Sequence, residues 1–468
     1  MRSHEAGVLH GDYGHRPSWL HPPVDVNDLL PQLWADTVER NNDGELTIGG
    51  IPVSVLAEEY GTPAYFLDEA DFRRRLTEFR DAFAEAFGPD SGHVYYAGKS
   101  FLCKAVARWV AECGTNLDIC TEGEMLTALA ADFPADRLTF HGNNKSLAEL
   151  SAALDAGVGR IVLDSYDEID RLTALARAAD ARPSVLLRVK AGVEAHTHEY
   201  IATAHEDQKF GLSLDAAADA AQQIVRDDVL NLVGLHSHIG SQIFDTGAFE
   251  VAARRVIALH HRIQTENDTR LPQMCLGGGF GMAYTTQDDP RSPTELADGL
   301  RKIVDHECAA LGIERPQISV EPGRAVCGPS TFTLYRVGTV KPVQLDGDRV
   351  RSYVSVDGGM SDNLRTALYD ASYSATLASR VSNATPVLAR IVGKHCESGD
   401  IVVKDEFLPG DVAVGDLVAV PGTGAYCRSM ASNYNHVPRP PVVAVADGEA
   451  RVIVRRETVA DLLRLDVG

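Results

Sequence analysis

Lys99 closes the run Tyr95-Tyr96-Ala97-Gly98-Lys99-Ser100, where a short apolar stretch gives way to small and polar residues. Holding a lysine as a cation at the end of a strand is costly, so a partly buried amine of depressed pKa there suits imine chemistry. Taken alone, the same lysine reads as a surface side chain whose stem lies on apolar neighbours. Its company shifts the weighing. Asp118, His141-Gly142-Asn143-Asn144, His236-Ser237-His238, Gly277-Gly278-Gly279 and Glu321-Pro322-Gly323-Arg324 lie in or close further short apolar runs. Three successive glycines let backbone N–H groups converge on an anion, although a lone triplet is more often a tight turn. Beside a loop that carries Arg324, the triplet points to a phosphate-bearing group. A carboxylate such as Glu321 against a pyridine nitrogen would keep it protonated, so that the ring accepts electrons from a carbanion. His236 could lie on the face of that ring, though an isolated core histidine is more often merely hydrogen-bonded. No metal pattern competes, and no metal is expected: HExxH is absent, and His196/His198 and His260/His261 stand as unaccompanied pairs.

These residues need elements to hold them. Eight short strands are expected at 93–97, 116–120, 138–141, 160–164, 184–189, 232–236, 273–276 and 317–321, each followed by a loop signal. Phe72, Leu76, Phe79, Phe83 and Phe87 recur at three-to-four spacing and mark one face of a helix. Thr121 with Glu124, and Ser146 with Glu149, read as capping boxes opening two more helices. Eight strands alternating with helices predict an α/β chain built on a (β/α)8 barrel of TIM type, whose chemistry sits at strand ends and whose phosphate site follows strands seven and eight. An open doubly wound sheet is the runner-up, but no GxGxxG opens a helix after a strand. After about residue 330, alternating runs at 331–340, 351–356, 386–392, 416–420 and 451–454 predict an all-β domain of sandwich or barrel type. The organisation expected is thus a tail and strand over 1–60, a barrel over 61–330 and a C-terminal β domain over 331–468. The strand-like segment 46–53 is expected to join that β domain.

Composition narrows the function classes. A formal charge of -22 argues against nucleic acid or an anionic membrane as partner. No apolar run approaches the roughly 18 residues of a membrane span. The opening stretch to His21 is polar, without the apolar segment of a signal peptide. Eight cysteines without a CxxC pair favour a reducing compartment. The cytoplasm is the expectation.

The motifs YYAGKS, HGNNKS, HSHIGSQ, GGGFG, EPGR, DGGMSDNLR, HCESGD and GTGAY, taken together, resemble those of the pyridoxal-phosphate-dependent amino-acid decarboxylases, a family that includes the ornithine and arginine enzymes, and most closely those of its diaminopimelate decarboxylases. The resemblance runs from about residue 61 to the C-terminal region. It implies a barrel that binds pyridoxal 5'-phosphate, a C-terminal β domain, and a homodimer whose active sites are shared between subunits. The implied reaction is decarboxylation of meso-2,6-diaminopimelate to L-lysine and CO2. On this resemblance Lys99 carries the cofactor as an imine, His236 stacks on its ring and Glu321 pairs with the ring nitrogen. Ser241, Gly278, Gly279 and Arg324, within Glu321-Pro322-Gly323-Arg324, surround the phosphate. Asp118 sits near the cofactor, and Tyr426 reaches both cofactor and substrate. Cys396 is the implied proton donor and Glu397 a substrate carboxylate, both entering the partner's site. Arg324, Arg365 and Tyr369 take substrate positions. The lysine neighbourhood AGKS departs from the more common AxKA by one small residue.

Physics adds a reason for the substrate. Diaminopimelate carries an amino-acid group at each end, so the distal end needs a cation for its carboxylate and an anion for its ammonium. Arg365 and Arg324 can fork onto a carboxylate, and Glu397 can accept from the ammonium. For Arg365 alone, a solvated surface charge remains an open reading. Ornithine or arginine decarboxylation needs only the anion. A racemase on the same barrel has no use for HCESGD, and a non-catalytic relative should have lost Lys99 or Cys396.

Overall fold

The computed structural model describes residues 16–192, 209–238, 240–345 and 350–468. His196, His198 and the first fifteen residues of the polar N-terminal stretch lie outside them. Two compact units emerge. One holds the described residues of Arg73–Gly281 with Pro290–Val326; the other holds those up to Phe72, with Met282–Asp289 and Cys327–Gly468.

The first unit is a closed barrel of eight parallel strands: Gly92–Ala97, Asn116–Ile119, Leu138–Phe140, Arg160–Leu163, Ser184–Arg188, Asn231–His236, Gln273–Cys275 and Gln317–Val320. The last pairs with the first from Ile318 against Gly92 to Val320 against Val94, which closes the ring. Every expected strand is present, each within a residue or two of its expected ends. Their apolar character follows from parallel strands being covered on both faces. A helix of eight or more residues follows each of the first seven strands, from Lys104–Glu112 to Pro293–Leu311. Ser146 and Glu149 form the reciprocal cap of helix Leu147–Ala156. Thr121 caps helix Glu122–Leu129, but the Glu124 carboxylate turns instead to accept the Cys120 N–H at 2.6 Å. That bond ties down the end of the second barrel strand rather than completing a box. The phenylalanine stripe lies on helix Glu69–Phe87, with Phe72, Leu76, Phe79, Phe83 and Phe87 all buried.

The second unit is built on one nine-stranded sheet. Its long strand, Thr331–Gln344, changes partners midway. Residues 331–334 pair with Ala64–Asp68 and Leu417–Pro421 flanks the other side, whereas 337–344 pair with Val350–Val356. The half beside Ala64–Asp68 is buried and the far half mostly exposed. Ala64–Asp68 also runs parallel to Val442–Ala446. It falls within the stretch expected to begin the barrel, because five buried residues without alternation do not declare which sheet they enter. Strands Ile401–Pro409 and Val442–Ala446 add to those the pattern suggested. Segment 46–53 forms strands Leu46–Ile48 and Ile51–Pro52 of a small sheet of its own with Glu39–Arg40. It reaches the β core through packing: Leu46, Ile48 and Val53 share a cluster with Phe66, Phe332, Leu334 and Val443. Among the described residues no helix is long and apolar enough to cross a membrane.

Candidate active site

The ends of the barrel strands gather the polar residues named from sequence. Asp118 lies in the second strand, His141 follows the third, His236 ends the sixth, and Glu321 follows the eighth. The Glu321 Oε1 lies 2.9 Å from His236 Nε2 and 3.4 Å from His141 Nε2. His141 Nε2 is also 3.3 Å from Asp118 Oδ1, and the two imidazoles meet edge to face with centroids 4.9 Å apart. The thiol of Cys275 donates to the same Glu321 oxygen at 3.0 Å. All five side chains are buried.

Burial sorts their charges. It pushes His141 down to about 3 and His236 down to about 4, so both are neutral near pH 7. Burial also lifts the Asp118 carboxyl well above the usual range, and the negative charge of Glu321 adds to the lift. Burial acts the same way on Glu321, but the nitrogens of His236 and His141 outweigh it and hold that carboxyl well below the usual range. The two carboxyls are thereby pushed in opposite directions. Environments that drive two carboxyls apart in this way separate their roles.

Lys99 sits in the single turn Gly98–Ser100 that follows the first strand. It is exposed at that rim, not partly buried as expected, because the turn lifts it off the strand. The turn is packed from both sides. A Cβ on Gly98 would fall 2.7 Å from the Asp118 carbonyl, and one on Gly323 would fall 2.9 Å from the Ala97 Cβ and the Ser100 Oγ. The Ala97 N–H donates to the Pro322 carbonyl at 3.0 Å, which fixes the lysine turn against the EPGR loop. Ser100 donates back to the Ala97 carbonyl at 2.8 Å, so the small-residue departure in AGKS is accommodated locally.

The glycine triplet serves close packing as much as anion binding. A Cβ on Gly278 would lie 2.3 Å from the Glu321 carbonyl. Two of its N–H groups are directed at side chains: Gly277 donates to Cys275 Sγ at 3.4 Å and Gly278 to His238 Nδ1 at 3.1 Å. Full convergence on an anion is therefore not what the triplet alone provides. Arg324, 6 % exposed, donates from Nη2 to Ser241 Oγ at 2.7 Å. This joins the two polar residues assigned to a phosphate.

Five residues from the sequence reading lie in the other unit. Arg365 is 7 % exposed, which removes the surface-charge reading. It donates from Nη1 to the Tyr373 hydroxyl at 2.7 Å, and its guanidinium lies 4.8 Å from the centroid of Tyr284. Burial opposes its charge, and Tyr284, Tyr373 and Cys427 outweigh that opposition. Tyr369 is half-buried at the end of the same short helix, Arg365–Tyr369. Cys396 is exposed. Glu397 accepts from the Gly399 N–H at 3.3 Å. Tyr426 adopts a φ of 61°, a left-handed conformation that a bulky side chain rarely takes outside functional sites.

Sequence reasoning singled out neither Cys275 nor Tyr373 and Tyr284. Cys275 was open to detection, standing two residues before the glycine triplet and so at a strand end. The tyrosines carry no such positional mark. His141, His236 and Glu321 also present one ligand atom each within 4.8 Å of one another, a spacing that could hold a metal ion. No local motif announces it, since the three come from different strands. His260 belongs to no such group, as its Nε2 faces the Leu271 carbonyl at 2.8 Å. Apart from the Cys275 thiol, the contacts among Asp118, His141, His236 and Glu321 fall short of hydrogen-bond geometry: neither oxygen of Asp118 and neither ring nitrogen of His236 is satisfied among the described residues. Buried polar atoms left so are costly until a ligand completes them. A planar ring with a basic nitrogen and an anionic tail, beside an exposed lysine, fits this donor set and the Arg324–Ser241 pair.

Comparison with known proteins agrees. The family described as pyridoxal-dependent decarboxylase, pyridoxal binding domain, matches residues 69–328. The diaminopimelate decarboxylase of Mycobacterium tuberculosis is 54 % identical over 94 % of this chain and 100 % of its own. That of Mycobacterium leprae is 52 % identical over 100 % of both. The crystal structure of the M. jannaschii diaminopimelate decarboxylase in co-complex with L-lysine superposes with a TM-score of 0.85 at 29 % identity, covering 93 % of this chain and 99 % of that one.

Proposed function

The chain belongs to the pyridoxal-dependent decarboxylases, among the diaminopimelate decarboxylases, and from that premise we propose how its residues divide the work. The enzyme is a carboxy-lyase that converts meso-2,6-diaminopimelate to L-lysine and CO2, the last step of lysine synthesis, with pyridoxal 5'-phosphate as cofactor. Bound pyridoxal phosphate supplies an electron sink conjugated with the bond to the departing carboxylate. Lys99 holds the cofactor between turnovers, and its exposure at the rim lets it yield to an incoming amine. Glu321 would keep a proton on the ring nitrogen, with the Cys275 thiol donating to its carboxylate. His236 would pack on the ring, while Asp118, its carboxyl pushed up by burial, stays near the cofactor. Ser241, Gly278, Gly279 and Arg324 hold the phosphate, with Pro322 and Gly323 shaping the loop.

CO2 leaves without the bonding electron pair, and Cys396 delivers the proton that replaces the carboxylate on that carbon. Arg365 and Arg324 receive the distal carboxylate, Glu397 the distal ammonium, and Tyr369 and Tyr426 close around the substrate. The tyrosine faces around Arg365 support this role, since they keep the guanidinium charged and restrict its rotation. In our reading the working assembly is a cytoplasmic homodimer, with Cys396 and Glu397 of each subunit entering the partner's site.

The observation that carries the reaction assignment is near-full-length identity above 50 % to two diaminopimelate decarboxylases, together with the opposed pair Asp118 and Glu321. Release of CO2 from meso-diaminopimelate, ornithine, arginine and lysine, with and without added cofactor, tests it. Diaminopimelate should be preferred by about a hundredfold or more in kcat/KM, because a site built for two charged distal groups rejects substrates lacking one. Equal turnover of ornithine would refute the assignment.

A further inference from the structure

Strands Pro386–Val392 and Ile401–Pro409 pair antiparallel, so Cys396 and Glu397 lie in the connection between them. An exposed thiol there gains little from packing, and hydrogen bonds must hold its backbone. Asp400 anchors the base. One of its carboxylate oxygens accepts the Met360 N–H at 2.6 Å and the other the His395 N–H at 2.7 Å. Two glycines make room for that carboxylate: a Cβ on Gly359 would lie 2.4 Å from one oxygen, and a Cβ on Gly393 2.3 Å from the other. Above this anchor the tie passes to Asn435, 39 residues further along the chain. Its side-chain oxygen accepts the Cys396 N–H at 3.1 Å and faces His395 Nδ1 at 3.3 Å. His395 Nε2 lies 2.8 Å from the Ser361 hydroxyl, so the imidazole is pinned at both nitrogens. Asn435 holds a φ of 50°, a strained region in which Asn is among the best tolerated side chains. It does so while exposed, with no burial to offset the strain.

We propose that Asn435 is a positioning residue for Cys396, fixing through its amide oxygen the direction in which the thiol leaves the turn. The proposal rests on the role given above to Cys396 as proton donor. Asn435→Gly removes the acceptor without adding strain at that φ, so its difference from Asn435→Asp reads the acceptor oxygen. Asn435→Asp keeps an oxygen in place.

Alkylation of the holoenzyme by iodoacetamide, followed at each cysteine by peptide mass analysis, reads the geometry directly. Asn435→Gly should change the Cys396 rate about threefold or more, since access and surroundings govern thiol reactivity, while Cys103 and Cys120 keep theirs. Its kcat should fall about tenfold or more with cofactor content unchanged, as expected for a misplaced reacting group. Asn435→Asp should restore both. An unaltered Cys396 alkylation rate in Asn435→Gly overturns the proposal, and so does a wild-type kcat in that variant beside an inactive Cys396→Ala. An active Cys396→Ala would instead refute the proton-donor reading, leaving the alkylation rates to decide on Asn435.

Discussion

At the barrel rim two carboxyls face two imidazoles and a thiol; around Arg365 a single cation faces two tyrosines. Both clusters are buried, and the same desolvation acts on each, yet the outcomes differ. At the rim, polar groups remain partly unmet, with the Asp118 carboxyl pushed above and the Glu321 carboxyl held below the usual range. That is an environment tuned to set the protonation of something bound there. Around Arg365, ring faces and one hydroxyl keep the charge fixed and the side chain oriented. That environment suits the anion-recognition role proposed for Arg365. Burial alone therefore does not tell a site's task; the chemistry of the neighbours does. Cys396 and Glu397 make a third case in the same unit as Arg365, on a turn held by hydrogen bonds rather than by packing.

The comparison is broken most severely at the rim. Lys99→Ala removes the amine that holds the cofactor, so the visible absorption of the purified protein should vanish and activity should drop by about a thousandfold or more. A Lys99→Ala protein that keeps the wild-type spectrum would show that the rim lysine does not carry the cofactor.

The Arg365 side yields a smaller effect. Arg365→Ala should lower kcat/KM for diaminopimelate by about ten- to a hundredfold, the usual size of a lost charge-assisted contact of about 1.5–3 kcal/mol. Cofactor absorption should be unaffected, which separates this variant from the lysine one. Arg365→Lys should rescue only in part, because a point charge cannot form a planar two-pronged contact. Arg324, bonded to Ser241, is the poorer probe, since the proposed function also gives it the phosphate. Wild-type kcat/KM in Arg365→Ala would place the distal clamp elsewhere and end the contrast.

The two regions also differ in how far sequence reveals them. Barrel strands are short apolar runs with loop signals behind them, and barrel chemistry collects at their ends, so Lys99, Asp118, His236 and Glu321 could be named from position. The opposed shifts of Asp118 and Glu321 could not, because they depend on burial and on His236 and His141 meeting Glu321 from other strands. In the sheet unit no positional rule applies. Cys396, Glu397 and Tyr426 were legible only through the resemblance of HCESGD and GTGAY to a known family. Burial of Arg365 against Tyr284 and Tyr373 is a long-range event that no local pattern records. Ala64–Asp68 illustrates the same limit for the fold: its five buried positions, four of them apolar, suit either sheet, and pairing with Thr331–Leu334 and Val442–Val445 decides.

The proposed assembly joins the barrel rim of one subunit to the Cys396 turn of its partner, and one measurement tests that joining most directly. Inactive Lys99→Ala and inactive Cys396→Ala proteins are mixed in equal amounts under conditions that exchange subunits, and CO2 release from meso-diaminopimelate is followed. Half the dimers become hybrids with one of two sites intact, so activity should recover to about a quarter of wild type in a two-fold symmetric dimer. No recovery, with hybrid dimers demonstrated in the mixture, would mean that each active site is built from a single chain.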